Sequence, residues 1–170
     1  MATEPEHGDG EPVIGTPGEL LQIAARHVNE GRFSAASTIC EAVIANNPEN
    51  ATAFHLLGHI GSRTGKDATA LGFFMRAVSL APTNANFSRS FAESLERTGR
   101  YDQAIHAWGQ YIILAPDDSE AISHLGVLQL RQDRLPEAVA THRQAVAQAP
   151  EDAMARYYLG IALYRTGQHE

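Results

Sequence analysis

One interval constrains this 170-residue chain more than any other feature, because several chemically different columns of residues return every 34 positions. Ala36, Ala70, Ala104 and Ala138 form one column, and Pro48, Pro82, Pro116 and Pro150 form another. Gly31, Gly65, Gly99 and Gly167 keep the same spacing with Asp133 in the gap, and Gly58, Gly126 and Gly160 make an incomplete column. Asn50, Asn84, Asp118 and Asp152 supply short polar side chains suited to bonding the free N–H groups of a helix start. The chain is an internal repeat.

The repeating unit is legible between Phe87 and Pro116. Phe87, Phe91 and Leu95 recur every four residues, Gly99 interrupts, and Tyr101, Ala104, Ile105, Trp108, Tyr111 and Ile112 continue in steps of three and four. That spacing places one apolar face on each of two helices joined at a glycine, and Pro116 stops the second, having no N–H to donate. The same reading predicts helices over Pro17–Glu30 and Phe33–Asn46, Ala51–Thr64 and Asp67–Leu80, Ala85–Thr98 and Tyr101–Leu114, and Ser119–Gln132 and Leu135–Gln148. A ninth is expected over Ala153–Thr166. Thr16-Pro17-Gly18-Glu19 reads as a capping box with proline at the first helical position.

With Leu57-Gly58, Leu125-Gly126 and Leu159-Gly160 added to the Gly, Ala and Pro columns, the chain resembles the tetratricopeptide repeat (TPR) family over about residues 17–170. Ile23-Ala24 and Phe91-Ala92 depart from Leu-Gly, Asp133 departs from the turn glycine, and no tryptophan opens a repeat. The resemblance implies an all-α, right-handed α-α superhelical solenoid of helical hairpins, four full repeats plus one half repeat. Repeats fall at about 17–50, 51–84, 85–118, 119–152 and a partial 153–170, after an acidic, disordered tail over 1–16.

In that family the first helix of each repeat lines a concave surface where partner peptides lie. Carried over, the inward residues begin with Leu21, Ala25 and Thr52 and continue with His55, His59, Arg63, Arg89, Glu93 and Arg97. Val127, Leu130, Arg131, Tyr157, Ile161, Tyr164 and Arg165 follow. The implied groove is charged and rich in histidine in its middle, and apolar and aromatic at its C-terminal end. It lacks the Lys and Asn of the family's carboxylate clamp for chaperone tails, since those columns hold Leu21, Ala25, His55 and His59. It also lacks an asparagine ladder, that column reading Gln22, Leu56, Ser90, His124 and Tyr158.

Composition and motifs exclude other classes. A net charge of -7 disfavours nonspecific nucleic-acid binding, and no run approaches the 18 or so apolar residues of a membrane span. Cys40 is the only cysteine, which fits a cytoplasmic setting, and it shares a packed column with Phe74, Trp108 and His142. No nucleophile elbow, zinc-protease pattern or complete phosphate loop occurs, so no enzymatic activity and no cofactor are expected. His55 and His59, one turn apart with Glu93 nearby, could hold a transition metal, but polar residues lining a groove are the preferred reading.

The expected function is that of a scaffold that recruits a protein or peptide partner. The alternative is the recruiting domain of a larger enzyme, such as a bacterial glycosyltransferase, because Gly167-Gln168-His169-Glu170 begins a helix that does not continue. Self-association through the C-terminal helix is the other way to cover that surface. Arg63, Arg97, Arg131 and Arg165 recur at the repeat interval near first-helix C-termini. They complement the helix dipoles, or else they form a cationic strip for an acidic partner segment.

Overall fold

Short polar caps and one left-handed turn residue per hairpin set the helix boundaries. The computed structural model describes residues 15–167. Nine α-helices run along them: Pro17–Asn29 (α1), Phe33–Asn46 (α2), Ala51–Arg63 (α3), Asp67–Leu80 (α4), Ala85–Arg97 (α5), Tyr101–Leu114 (α6), Ser119–Arg131 (α7), Leu135–Gln148 (α8) and Ala153–Arg165 (α9). Each odd-numbered helix ends one residue before the expected boundary, and there is no strand among the described residues. The tail read over 1–16 lies outside the described residues up to position 14, whereas Thr16 is folded in as the N-cap of α1.

The caps form as the columns require. Thr16 Oγ1 accepts from the Glu19 N–H while the Glu19 carboxylate accepts from the Thr16 N–H at 2.8 Å, closing the capping box. Asn50 accepts from Ala53 N–H at 3.0 Å, Asn84 from Phe87 N–H at 3.3 Å and Asp118 from Ala121 N–H at 3.0 Å. At the hairpin turns the backbone enters the left-handed region, at φ +73° for Gly99. The Arg100 N–H then reaches back to Leu95 O at 2.9 Å, a closure that uses up a free helix carbonyl and points the chain into the second helix. Asp133 adopts the same conformation at φ +58°, which a short polar side chain tolerates better than most residues.

Packing explains the Leu57-Gly58 and Leu125-Gly126 pairs, whereas a Cβ on Gly160 would meet nothing within 4 Å. A Cβ on Gly58 would lie 2.5 Å from the Phe74 ring, and one on Gly126 would lie 2.5 Å from the His142 ring. Those rings descend onto bare backbone. Where the chain has Ala24 the column holds the small Cys40 in the same cluster. Where it has Ala92, Trp108 shares its cluster, with its ring edge-on to Tyr111 (5.7 Å) and tilted against His124 (5.0 Å). Cys40 is fully buried, and burial pushes its thiol up to about 11, so it is a packing residue without thiolate reactivity.

Successive helices pack in antiparallel order along the solenoid. The first helices also touch their counterparts, α1 on α3 and α7 on α9, whereas successive second helices meet mainly through the first helix lying between them. The spaces this leaves on either side of the layer are the clefts described below. No helix among the described residues is long and apolar enough to cross a membrane.

Candidate partner-binding groove

The expected groove is made wholly of residues on the odd-numbered helices. Its histidine pair is tied into the core beneath. The His55 and His59 rings sit edge-on at 4.5 Å, with the Phe74 ring 5.6 and 5.3 Å away and Phe87 4.5 Å from His55. His55 Nε2 and Ser90 Oγ lie 2.9 Å apart. Burial, reinforced by the neighbouring His59, pushes the His55 pKa down to about 4, and burial also lowers His59. Glu93 pairs with Arg89 at 3.0 Å, and among the described residues no cluster of three or more His, Cys, Asp or Glu is arranged to hold a metal ion.

The neutral His55 gives the fold a pH dependence of defined sign. Its folded-state pKa is depressed, so its contribution is intact above about 6.5 and is lost as pH falls toward 4, when the unfolded chain takes up the proton first. The full shift would correspond to about 3 kcal/mol, and solvent screening of a partly exposed ring reduces this to about 1–2 kcal/mol. Denaturant unfolding at pH 7 and pH 4.5 should show the loss, and His55→Gln should show a shallower slope. An equal slope in the variant would assign the effect to other groups.

The arginine column stands in the last turns of the first helices, where a cation complements the helix dipole, and three of its members also reach back to the preceding repeat. Arg63 donates from Nη1 to the carbonyl of Val28 in α1. Arg165 donates to Leu130 O and to the Asp133 carboxylate, both at 2.9 Å. Arg97 reaches Asp67 at 3.4 Å rather than Glu93. These guanidiniums clamp one repeat to the preceding one, and Arg165 fixes the left-handed Asp133 turn. Arg131 alone in the column makes no hydrogen bond or ion pair among the described residues.

Arg131 opens onto a cleft of about 480 Å3 between α5 and α7. Glu93, Glu96 and Arg97 line one wall, Glu120 and His124 the other, and Trp108 of α6 forms part of the floor. His124 Nε2 lies 2.8 Å from the Glu96 carboxylate. Arg89 also reaches the Asp118 carboxylate at 3.6 Å, to which the Tyr111 hydroxyl donates at 2.6 Å. That hydroxyl is the main cause of the lowered Asp118 pKa. Glu120 lies where the family register puts an inward residue, whereas Glu96, His124 and Trp108 are not expected in the groove from the sequence. Their pairing spans about one repeat in sequence and leaves no local pattern.

At the C-terminal end the expectation divides. Tyr157 (60% exposed) and Tyr164 (74% exposed) stand on the surface, with Met154 beside them in sequence and also exposed. Val127 and Ile161 are half-buried. Leu130, read as a groove residue, is core: it is 6% exposed and clusters with Ala138, Val139 and Ala162, because α9 closes over that side of α7. Leu21 is core for the same reason, packed with Ala24 and Val28.

Comparison with known proteins places this geometry in a family. Among solved structures, YrrB, described as a TPR protein with an unusual peptide-binding site, superposes with a TM-score of 0.76 at 18% identity, over 89% of this chain and 78% of that one. MamA superposes with a TM-score of 0.76 at 20% identity, over 90% of this chain and 84% of that one. No curated protein matches. A profile of the cytochrome c-type biogenesis protein H TPR domain matches residues 42–157, most of the repeat array. By that match and by its helical hairpins, the chain belongs to the family of the cytochrome c-type biogenesis protein H TPR domain.

Proposed function

We propose that the chain is a non-enzymatic interaction module that holds a partner peptide along its first-helix face, with an acidic side chain of the partner at Arg131. The observation that carries this reading is Arg131, a cation without a partner among the described residues, at a cleft where Arg89, His124 and Asp67 already engage Glu93, Glu96 and Arg97, and where Glu120 is the other unengaged charge. A carboxylate there makes a charge-assisted hydrogen bond in a partly desolvated site. The exposed Met154 and Tyr157 offer apolar anchoring next along the array. A peptide-binding site is also what the YrrB structure is described as having. The same face would serve a free-standing adaptor or the recruiting part of a larger enzyme.

Trp108 is the only tryptophan and lines this cleft, so its emission reports occupancy. Peptides selected from a displayed random library should change that emission and lose affinity as salt rises. Arg131→Gln should weaken them about tenfold, equivalent to about 1.4 kcal/mol, while barely moving the melting temperature. Tyr157→Ala should weaken the same peptides without loss of helicity. Selected peptides indifferent to salt and to both substitutions would overturn the reading.

A further inference from the structure

The second helices carry their own cation column. Arg32, Lys66, Arg100 and Arg134 are the N-cap residues of α2, α4, α6 and α8, and none makes a side-chain cap. A cation at the positive end of a helix dipole is unfavourable unless something anionic answers it. Arg32 is answered by Glu30. Arg134 is answered by Asp102, thirty-two residues earlier in the first turn of α6, at 2.7 Å. The position thirty-two residues before Arg100 is Ala68, which has no carboxylate. Among the described residues the Arg100 guanidinium makes no hydrogen bond or ion pair.

Ala68 and Arg100 line the same cleft, about 640 Å3 in volume, between α4 and α6 and floored by Phe91 and Leu95 of α5. The volume lies within the range of about 300–1,000 Å3 typical of ligand-binding clefts. Its origin is legible in the column Ile39, Phe73, Ala107 and Thr141. One repeat earlier, Phe73 lines the corresponding space between α2 and α4, its ring 6.4 Å from that of Phe54. Ala107 leaves the space between α4 and α6 unfilled, and on the opposite wall a Cβ at Gly72 would meet nothing within 4 Å. The rim carries the exposed Met75. An apolar slot therefore ends at a free guanidinium, at the spot where the next repeat carries a carboxylate of its own.

We propose that this cleft is a second docking site, for a partner segment in which an acidic residue stands beside a large apolar one. The partner's carboxylate takes at Arg100 and Ala68 the place that Asp102 takes at Arg134, and its apolar side chain fills the slot over Gly72 and Ala107. The charge is complemented as it already is one repeat on, and the apolar wall loses its contact with water. The site lies on the second-helix face and is independent of the groove on the first-helix face.

The probe is a random dodecapeptide library displayed on phage and panned on the full chain, with selected peptides then resynthesised and measured by fluorescence anisotropy. Two variants close the cleft from different directions. Ala68→Asp supplies the missing carboxylate within the chain, and Gly72→Trp fills the slot from a helical position with open space around it. Both should retain helicity. A class of peptides pairing Asp or Glu with a nearby Leu, Met or Phe should bind the unmodified chain, bind each variant at least tenfold more weakly, and be unaffected by Arg131→Gln. Should Gly72→Trp lose helicity, Ala107→Phe, which copies Phe73 into this repeat, fills the same slot. The proposal is overturned if no peptide distinguishes these variants from the unmodified chain, or if those that do lack an acidic residue. Peptides weakened only by Arg131→Gln would leave the first-helix groove standing and remove this site.

Discussion

Trp108→Ala should destabilise the protein by about 3–5 kcal/mol, the cost of removing a large buried ring and leaving a cavity. Trp108 is 3% exposed, and its cluster draws on Leu71 of α4, Leu95 of α5, and Leu125 and Leu128 of α7, so the ring belongs to a core shared by three repeats. In a solenoid the repeats are held by nearest-neighbour interfaces, and a central loss uncouples both ends. The melting temperature should fall by roughly 6–20 °C and the transition should broaden. Far-UV circular dichroism is the appropriate readout, since the variant carries no tryptophan. Trp108→Phe should cost less than its lost volume implies, because the buried indole N–H has no hydrogen-bond partner in the protein. A Trp108→Ala variant with an unchanged denaturation midpoint would contradict the packing described.

The second large effect separates two glycines of the same secondary structure. Alanine is better than glycine in a helix interior by about 0.8–1 kcal/mol. Gly72→Ala should gain about that much, since its new methyl group meets open space. Gly58→Ala should instead cost about 1–3 kcal/mol, because the methyl group would press on the ring of Phe74, which is almost wholly buried and has nowhere to retreat. Adding Phe74→Cys to Gly58→Ala recreates the Ala24 and Cys40 combination of the first repeat. The double variant should therefore lose less stability than the two single changes summed. Melting temperatures that move the same way in both glycine variants would rule out the close approach as the reason for the glycine.

The site was only partly legible in the sequence. The exposed Tyr157 and Tyr164, and the His55–His59 pair on the first-helix face, follow from the repeat register carried over from the family. Arg63 and Arg165 read as helix-end cations or as members of a cationic strip, and both also reach back to carbonyls of the preceding repeat. A long guanidinium side chain selects its partner only once neighbouring helices are in place, and the sequence says nothing about which acceptors will come within range. Leu130 misled for a related reason. An apolar residue on a first helix is groove or core according to how far the next first helix swings across it, and α9 swings across Leu130.

The sequence by itself determined the elements. Helix starts depend on one cap residue, turns on one residue able to enter the left-handed region, and helix faces on apolar residues three and four apart. All of these interactions close within a few positions of the chain. The Asn and Asp caps, the turn glycines and Asp133 therefore say directly where each hairpin begins and bends. Tertiary structure alone decided which cations are engaged and which clefts stay open. Arg134 finds Asp102 while Arg100 finds Ala68, and Phe73 lines one inter-helix space while Ala107 leaves the next one vacant. Those outcomes join residues some 30 positions apart, and they exist only because stacking successive repeats brings side chains one repeat apart into contact.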